Sequence, residues 1–183
     1  MYGFDVYLTQ ALNGIAGKFG LLDLLMVGAS AWGVPILVVA VAAQWWWRPD
    51  RLHHRHILVA TGLSFLLGLA LNQLILLFVH RMRSYDAGIT HLIVARSADP
   101  SFPSDHATAT AAIAAAFLFK SARRLGLLFG VAALWVMASR VYIGTHYVSD
   151  VMGGAGTGLV AAFLVSVLYR KGTRIDHALT GIM

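Results

Sequence analysis

Ser139-Arg140-Val141-Tyr142-Ile143-Gly144-Thr145-His146-Tyr147-Val148-Ser149-Asp150 sets a run of polar and charged residues between two apolar segments, which reach back to Leu125 and on to Tyr169. Apolar segments of that length read as membrane spans, so the run falls at a turn between two of them. Arg140 is a candidate anion clamp, His146 a candidate nucleophile and Asp150 a candidate orienting carboxylate. If His146 to Asp150 is helical, the i, i+4 spacing puts both on one face, about one turn apart. A carboxylate beside a histidine fixes its tautomer and stabilises its protonated form. A helix-end ion pair in an ordinary membrane protein gives the same pattern, and the stretch alone leaves both readings open.

A second stretch, Phe102-Pro103-Ser104-Asp105-His106, closes a polar connection and opens an Ala-rich apolar run. Pro103 interrupts what precedes it, and Ser104 or Asp105 is placed to cap the following helix. A helix N-terminus offers free N–H groups and a positive dipole end, which suit a phosphate. His106 stands there as a candidate proton donor. A third stretch, His80-Arg81-Met82-Arg83-Ser84-Tyr85, puts two arginines at the end of another apolar run.

Together these residues resemble the type-2 phosphatidic acid phosphatase superfamily of membrane phosphatases, whose signature reads K-x6-R-P, P-S-G-H and S-R-x5-H-x3-D. Ser139, Arg140, His146 and Asp150 match the third part in full. Pro103, Ser104 and His106 match the second, with Asp105 in place of Gly. The first is degraded: Arg83 takes the arginine position, Ser84 replaces Pro, and Leu76 falls where the lysine belongs. The form F-P-S-D-H, the run Asn72-Gln73-Leu74-Ile75 and the short N-terminus are similar to one branch, the bacterial undecaprenyl-diphosphate phosphatases of the bacitracin-resistance type. The resemblance implies an all-α membrane bundle that needs no metal and no cofactor. It implies His146 as nucleophile, Asp150 orienting its ring, and His106 as acid and then base. Arg83, Arg140 and Ser104 would hold the phosphate oxygens. Arg81 would supply a second cation for a diphosphate, and Asp105 would cap the helix or pair with an arginine such as Arg81.

Composition supports a membrane protein: 58% of the 183 residues are hydrophobic and 12% charged, against about 45–50% and 25% in a soluble domain. Eight Asp and no Glu exclude a Glu-rich diiron bundle or a Glu-based glycosidase. With no Cys there are no disulfides, cysteine nucleophiles or thiolate metal sites. In so apolar a chain the net charge of +6 points to basic loops facing the cytoplasm and anionic lipid, not to nucleic acid. Met1 to Gly20 lacks the basic start and long apolar core of a cleavable signal peptide.

Residues 2–19 read as a short amphipathic helix at the interface or against the bundle. Five spans follow: Leu21 to Trp47, Ile57 to Val79, Ser104 to Phe119, Leu125 to Tyr142, and Val148 to Tyr169. Trp45, Trp46 and Trp47 resemble an interfacial aromatic belt. Arg48 to His56 reads as a basic loop, whose three histidines stand beside Arg51 and Arg55 and are not completed to a tetrahedral zinc set. Asn72 and Gln73 read as interhelical hydrogen-bonders, and Gly154 and Gly158 as a packing contact. His80 to Ser101 is a polar connection of 22 residues, a length that favours function. Residues 1–183 form one domain on this reading.

Nine of the fourteen Lys and Arg residues fall in the connections after spans one, three and five. The positive-inside rule therefore places those ends in the cytoplasm and the three motifs outside. The expected protein is a lipid pyrophosphatase of the bacterial cytoplasmic (inner) membrane, acting from its outer face on a polyprenyl diphosphate, among membrane lipids and without nucleic acid. A phosphatase of another lipid phosphate, or a membrane protein that only binds phospholipid, are the alternatives. A binder needs the arginines but no nucleophile. A soluble vanadate haloperoxidase shares the signature but not the spans.

Overall fold

The computed structural model describes residues 2–46 and 51–181. The described residues form seven helices and no strand: α1 (Tyr2–Asn13), α2 (Gly20–Ala43), α3 (Arg51–Leu76), α4 (Asp105–Phe119), α5 (Arg123–Tyr142), α6 (Val148–Leu168) and α7 (Arg174–Thr180). Trp47, Arg48, Pro49 and Asp50 carry part of the aromatic-belt and basic-loop readings and lie outside the described residues. α2, α3, α5 and α6 are long and apolar enough to cross a membrane.

α4 is the axis. With 15 residues it is about 22 Å long, short of a ~30 Å hydrocarbon core. It tolerates this because it meets protein instead of lipid: Ala107 through Phe117 are all buried, with α3, α5 and α6 packed around them. Its small side chains permit close approach, and the glycines of α6 complete it. A Cβ on Gly154 would overlap the Ser104 carbonyl oxygen, and one on Gly158 would overlap the Thr108 carbonyl oxygen. Asn72 of α3 donates across to Thr108 Oγ1 (2.9 Å) and Asp105 Oδ1 (2.7 Å), the interhelical use expected of a buried amide.

Several boundaries differ from the sequence reading. α3 starts at Arg51, so His53, His54 and His56 lie in helix and not in a loop. The tail folds back as α7, where Asp176 accepts a 2.8 Å bond from His56 Nδ1. Trp135 is half exposed in an apolar groove of about 690 Å³ between α2 and α5. α1 lies against α5 and α6. Arg81, Arg83, Arg140, His146 and Asp150 gather at one end of the bundle, and Arg55, Lys120 and Asp176 at the other.

Candidate active site

α5 ends at Tyr142, and a five-residue turn leads to α6. Gly144 makes the turn with φ +86°, where a side chain would also strike the His91 carbonyl. The hydroxyls of Ser84 and Thr90 both donate to the Gly144 carbonyl, at 3.0 and 2.8 Å. Ser84, which stands where the signature has Pro, thus pins the arginine connection to the turn that carries His146.

His146 precedes α6, so it does not share a helix with Asp150. Its Nδ1 lies 2.8 Å from the Ser101 carbonyl and 3.7 Å from Asp150 Oδ2. The expected direct carboxylate–imidazole bond is therefore replaced by a relay: Ser101 accepts from the ring through its carbonyl and donates from Oγ to Asp150 at 2.5 Å. A carbonyl only accepts, so Nδ1 carries the proton. Nε2 faces Arg83 Nη1 at 3.3 Å and Arg140 Nη2 at 3.5 Å. Guanidinium groups only donate, so Nε2 presents a lone pair. His146 is buried, and burial pushes its pKa below the ordinary value; Asp150 opposes the shift, and Arg140 and Arg83 add to it. The ring is neutral at neutral pH, as a nucleophile must be.

A cavity of about 320 Å³ opens in front of Nε2, lined by Arg83, Arg140, His106, His146, Asp105 and Leu76 among others. Arg83 is held by the Asp99 and Thr145 carbonyls (2.8 and 3.2 Å). Arg140 donates to Ser30 Oγ of α2 (2.5 Å), and its Nε has no partner. Among the described residues neither arginine forms an ion pair with a carboxylate, which leaves both charges for an anion in the cavity. Leu76 presents an apolar wall where the signature has a lysine.

His106 enters the cavity from the first turn of α4. Ser104 occupies the N-cap position but makes no capping bond; its hydroxyl is fully buried and unpartnered. Asp105 neither caps nor meets Arg81. It is exposed at the cavity wall, and its Oδ1 accepts from Asn72.

Arg81 corrects another expectation, since it does not line the cavity. Its Nη1 donates to Asp150 Oδ1 (2.6 Å) and Ser149 Oγ (2.6 Å), its Nη2 to Asp5 Oδ2 (2.8 Å), and its guanidinium lies 3.9 Å from the Tyr147 ring centroid. It acts as counter-charge behind the site. Asp150 is fully buried and also accepts from the Tyr147 N–H at 2.9 Å.

Residues 24–174 match the PAP2 superfamily. The chain belongs to that family. It is 31% identical over 155 residues to undecaprenyl-diphosphatase BcrC of Bacillus subtilis (strain 168), covering 85% of this chain and 79% of that protein. It is also 31% identical over 151 residues to phosphatidylglycerophosphatase B of the same organism, covering 76% and 68%. The crystal structure of a transmembrane PAP2-type phosphatidylglycerolphosphate phosphatase from Bacillus subtilis superposes with a TM-score of 0.71 at 26% identity, covering 94% of this chain and 88% of that one. The protein is thus a membrane PAP2 lipid phosphatase.

Three contributors to this PAP2 site escaped the sequence reading. Ser101 lies just before the second motif, but its carbonyl role is independent of side-chain type. Ser30 is a lone serine in an apolar span. Asp5 left one signal: Asp5, Thr9 and Asn13 recur every four residues, a polar stripe on an otherwise largely apolar helix.

Proposed function

We propose that the protein hydrolyses undecaprenyl diphosphate to undecaprenyl phosphate and inorganic phosphate through a phosphohistidine, from the outer face of the bacterial cytoplasmic membrane. The observation that carries the chemistry is the unprotonated Nε2 of His146, aimed into a cavity between two arginines that meet no carboxylate. The Nε2 lone pair attacks the terminal phosphorus. As the N–P bond forms, the bond to the bridging oxygen breaks, and that oxygen takes a proton from His106, which the negative charge of the bound diphosphate holds in its protonated form. Arg83 and Arg140 stabilise the charge on the three equatorial oxygens, and the free Ser104 hydroxyl adds a donor. The phosphorylated imidazole keeps its Nδ1 proton and is cationic; the Ser101 carbonyl and the Asp150 carboxylate stabilise it. His106, now a base, removes a proton from water, which attacks phosphorus and releases phosphate.

Two facts support the diphosphate. One is the 31% identity to an undecaprenyl-diphosphatase over 85% of the chain. The other is size: about 320 Å³ lies at the low end of ligand pockets, about 300–1,000 Å³, and suits a phosphate-sized head on a long chain. The equal identity to a phosphatidylglycerophosphatase supports phosphatidylglycerol phosphate as the second reading. Initial rates on undecaprenyl diphosphate, phosphatidylglycerol phosphate and phosphatidate at equal surface concentration separate them. The proposal expects the diphosphate to be cut fastest and expression to raise bacitracin tolerance; preference for a glycerolipid with unchanged tolerance contradicts it. For the orientation, the exposed Ala98 and Ser121 are replaced singly by Cys in this Cys-free chain. An impermeant thiol reagent should label the Ala98→Cys variant in intact cells and not the Ser121→Cys variant.

A further inference from the structure

We infer that Asp5, on a helix outside the matched family region, is a positioning residue for the catalytic carboxylate and acts through Arg81. The inference rests on the phosphatase reading above. α1 precedes residue 24, where the family match begins. Its inner stripe is spent on the site end of the bundle. Asp5 Oδ1 accepts from the Ser149 N–H (2.9 Å), Thr9 Oγ1 accepts from the Val148 N–H (3.1 Å), and Asn13 Nδ2 donates to the Tyr142 carbonyl (2.7 Å). Val148 and Ser149 are the first two residues of α6, whose N–H groups have no partner within their own helix. α1 therefore caps α6 from outside, one residue before Asp150.

The electrostatics give the arrangement its consequence. Arg81 is the cation shared by two carboxylates, Asp150 and Asp5. Ser149 Oγ sits between them, accepting from Arg81 and donating to Asp5 Oδ2 (2.5 Å). With Asp5 paired to Arg81 at 2.8 Å, that pair is close to neutral, and the charge of Asp150 remains available to His146 at 3.7 Å. Without it, Arg81 compensates Asp150 instead, and the cationic phosphohistidine loses its counter-charge. A group that stabilises the reacting state and never touches substrate lowers kcat on removal and leaves KM alone. The outer face of α1 exposes Tyr2, Phe4 and Tyr7, which suits a helix lying at the lipid interface with its polar stripe turned inward.

The test uses the full-length protein in mixed micelles, with the lipid phosphate that the native enzyme turns over best. Asp5→Asn should lower kcat about tenfold or more with KM within about threefold, and Asp5→Glu should recover at least half of the loss. In an Arg81→Met background, Asp5→Asn should cost little further, because the two act as one unit. Native kcat in Asp5→Asn overturns the inference. So does a loss of equal size in the Arg81→Met background, or a loss that Asp5→Glu fails to recover, since a helix clamp alone accounts for either. Inactivity of the native protein on every lipid phosphate overturns the phosphatase reading as well.

Discussion

The bundle holds a buried His–Asp pair at each end, and of the two histidines His146 lines the arginine-flanked cavity while His56 does not. At the end opposite the cavity, His56 Nδ1 meets Asp176 Oδ1 directly at 2.8 Å. The His56 ring stacks on Tyr169 with centroids 4.7 Å apart, and Asp176 also accepts from the Tyr169 hydroxyl and the Gly172 N–H. Arg55 and Lys120 donate nearby to the Thr180 and Tyr169 carbonyls. These groups close contacts among α3, the C-terminus of α4, α6 and α7. At the cavity end the ring is held by a carbonyl, the carboxylate stands at 3.7 Å, and Nε2 meets two guanidinium groups at 3.3 and 3.5 Å beside the cavity. Ser104 Oγ and Arg140 Nε remain without partners. A His–Asp pair alone thus does not mark an active site. On the proposed function, the mark is a lone pair at a cavity beside two arginines that form no ion pair among the described residues.

The sharpest break of this comparison is to delete each histidine. His146→Ala should lower turnover by roughly 10³-fold or more, whereas His56→Ala should keep turnover within about twofold, because His56 lines no part of the cavity. Steady-state phosphate release on both purified variants measures it. Next in size is Gly154→Ala. The added methyl would press on the Ser104 carbonyl and push the α4 N-terminus, with His106, off α6. About a hundredfold loss of kcat is expected, since a shift near 1 Å at a reacting group costs that much. Gly156→Ala, where a Cβ meets nothing within 4 Å, is the control.

The sequence displayed the cavity end far better than the opposite one, and the reason is chain separation. His146 and Asp150 are four residues apart in one motif, and Arg83, His106 and Arg140 are themselves motif residues. His56 and Asp176 are 120 residues apart, and nothing in the tail marks Asp176 as the partner of a histidine. Apolar run length was enough to place the spans and the helical bundle. It did not show that α4 is enclosed by protein, which depends on the neighbours of its alanines and not on hydropathy. Arg81 and Asp105 were misread for a related cause. Composition says that a charge lies near a site, but which way it points depends on Asp5 and Asn72, which the chain delivers from other helices.

A smaller effect sharpens the structural half of the contrast. Asp176→Asn weakens the bonds to His56, Tyr169 and Gly172 and should cost about 1–3 kcal/mol of stability, read as a lower unfolding temperature in detergent with kcat nearly unchanged. Smallest is a pH effect. His146 must be neutral to attack, and its pKa lies below the ordinary histidine value. Its neutral form therefore persists to lower pH, and the acid limb of kcat/KM that it governs should fall below about pH 6.5. Arg83→Gln removes one of the two cations that hold the pKa down, so that limb should move upward.

The central claim is that Nε2 of His146 takes the phosphoryl group. It is tested most directly by mixing the enzyme with undecaprenyl diphosphate labelled at the terminal phosphate, quenching in alkali within one turnover, and mapping the label by peptide mass spectrometry. The account predicts N-phosphohistidine on Nε2 of His146, lost in His146→Ala and accumulating in His106→Ala with a substrate whose leaving group needs little protonation. Label on another residue, or full turnover without any phosphoenzyme, would contradict it.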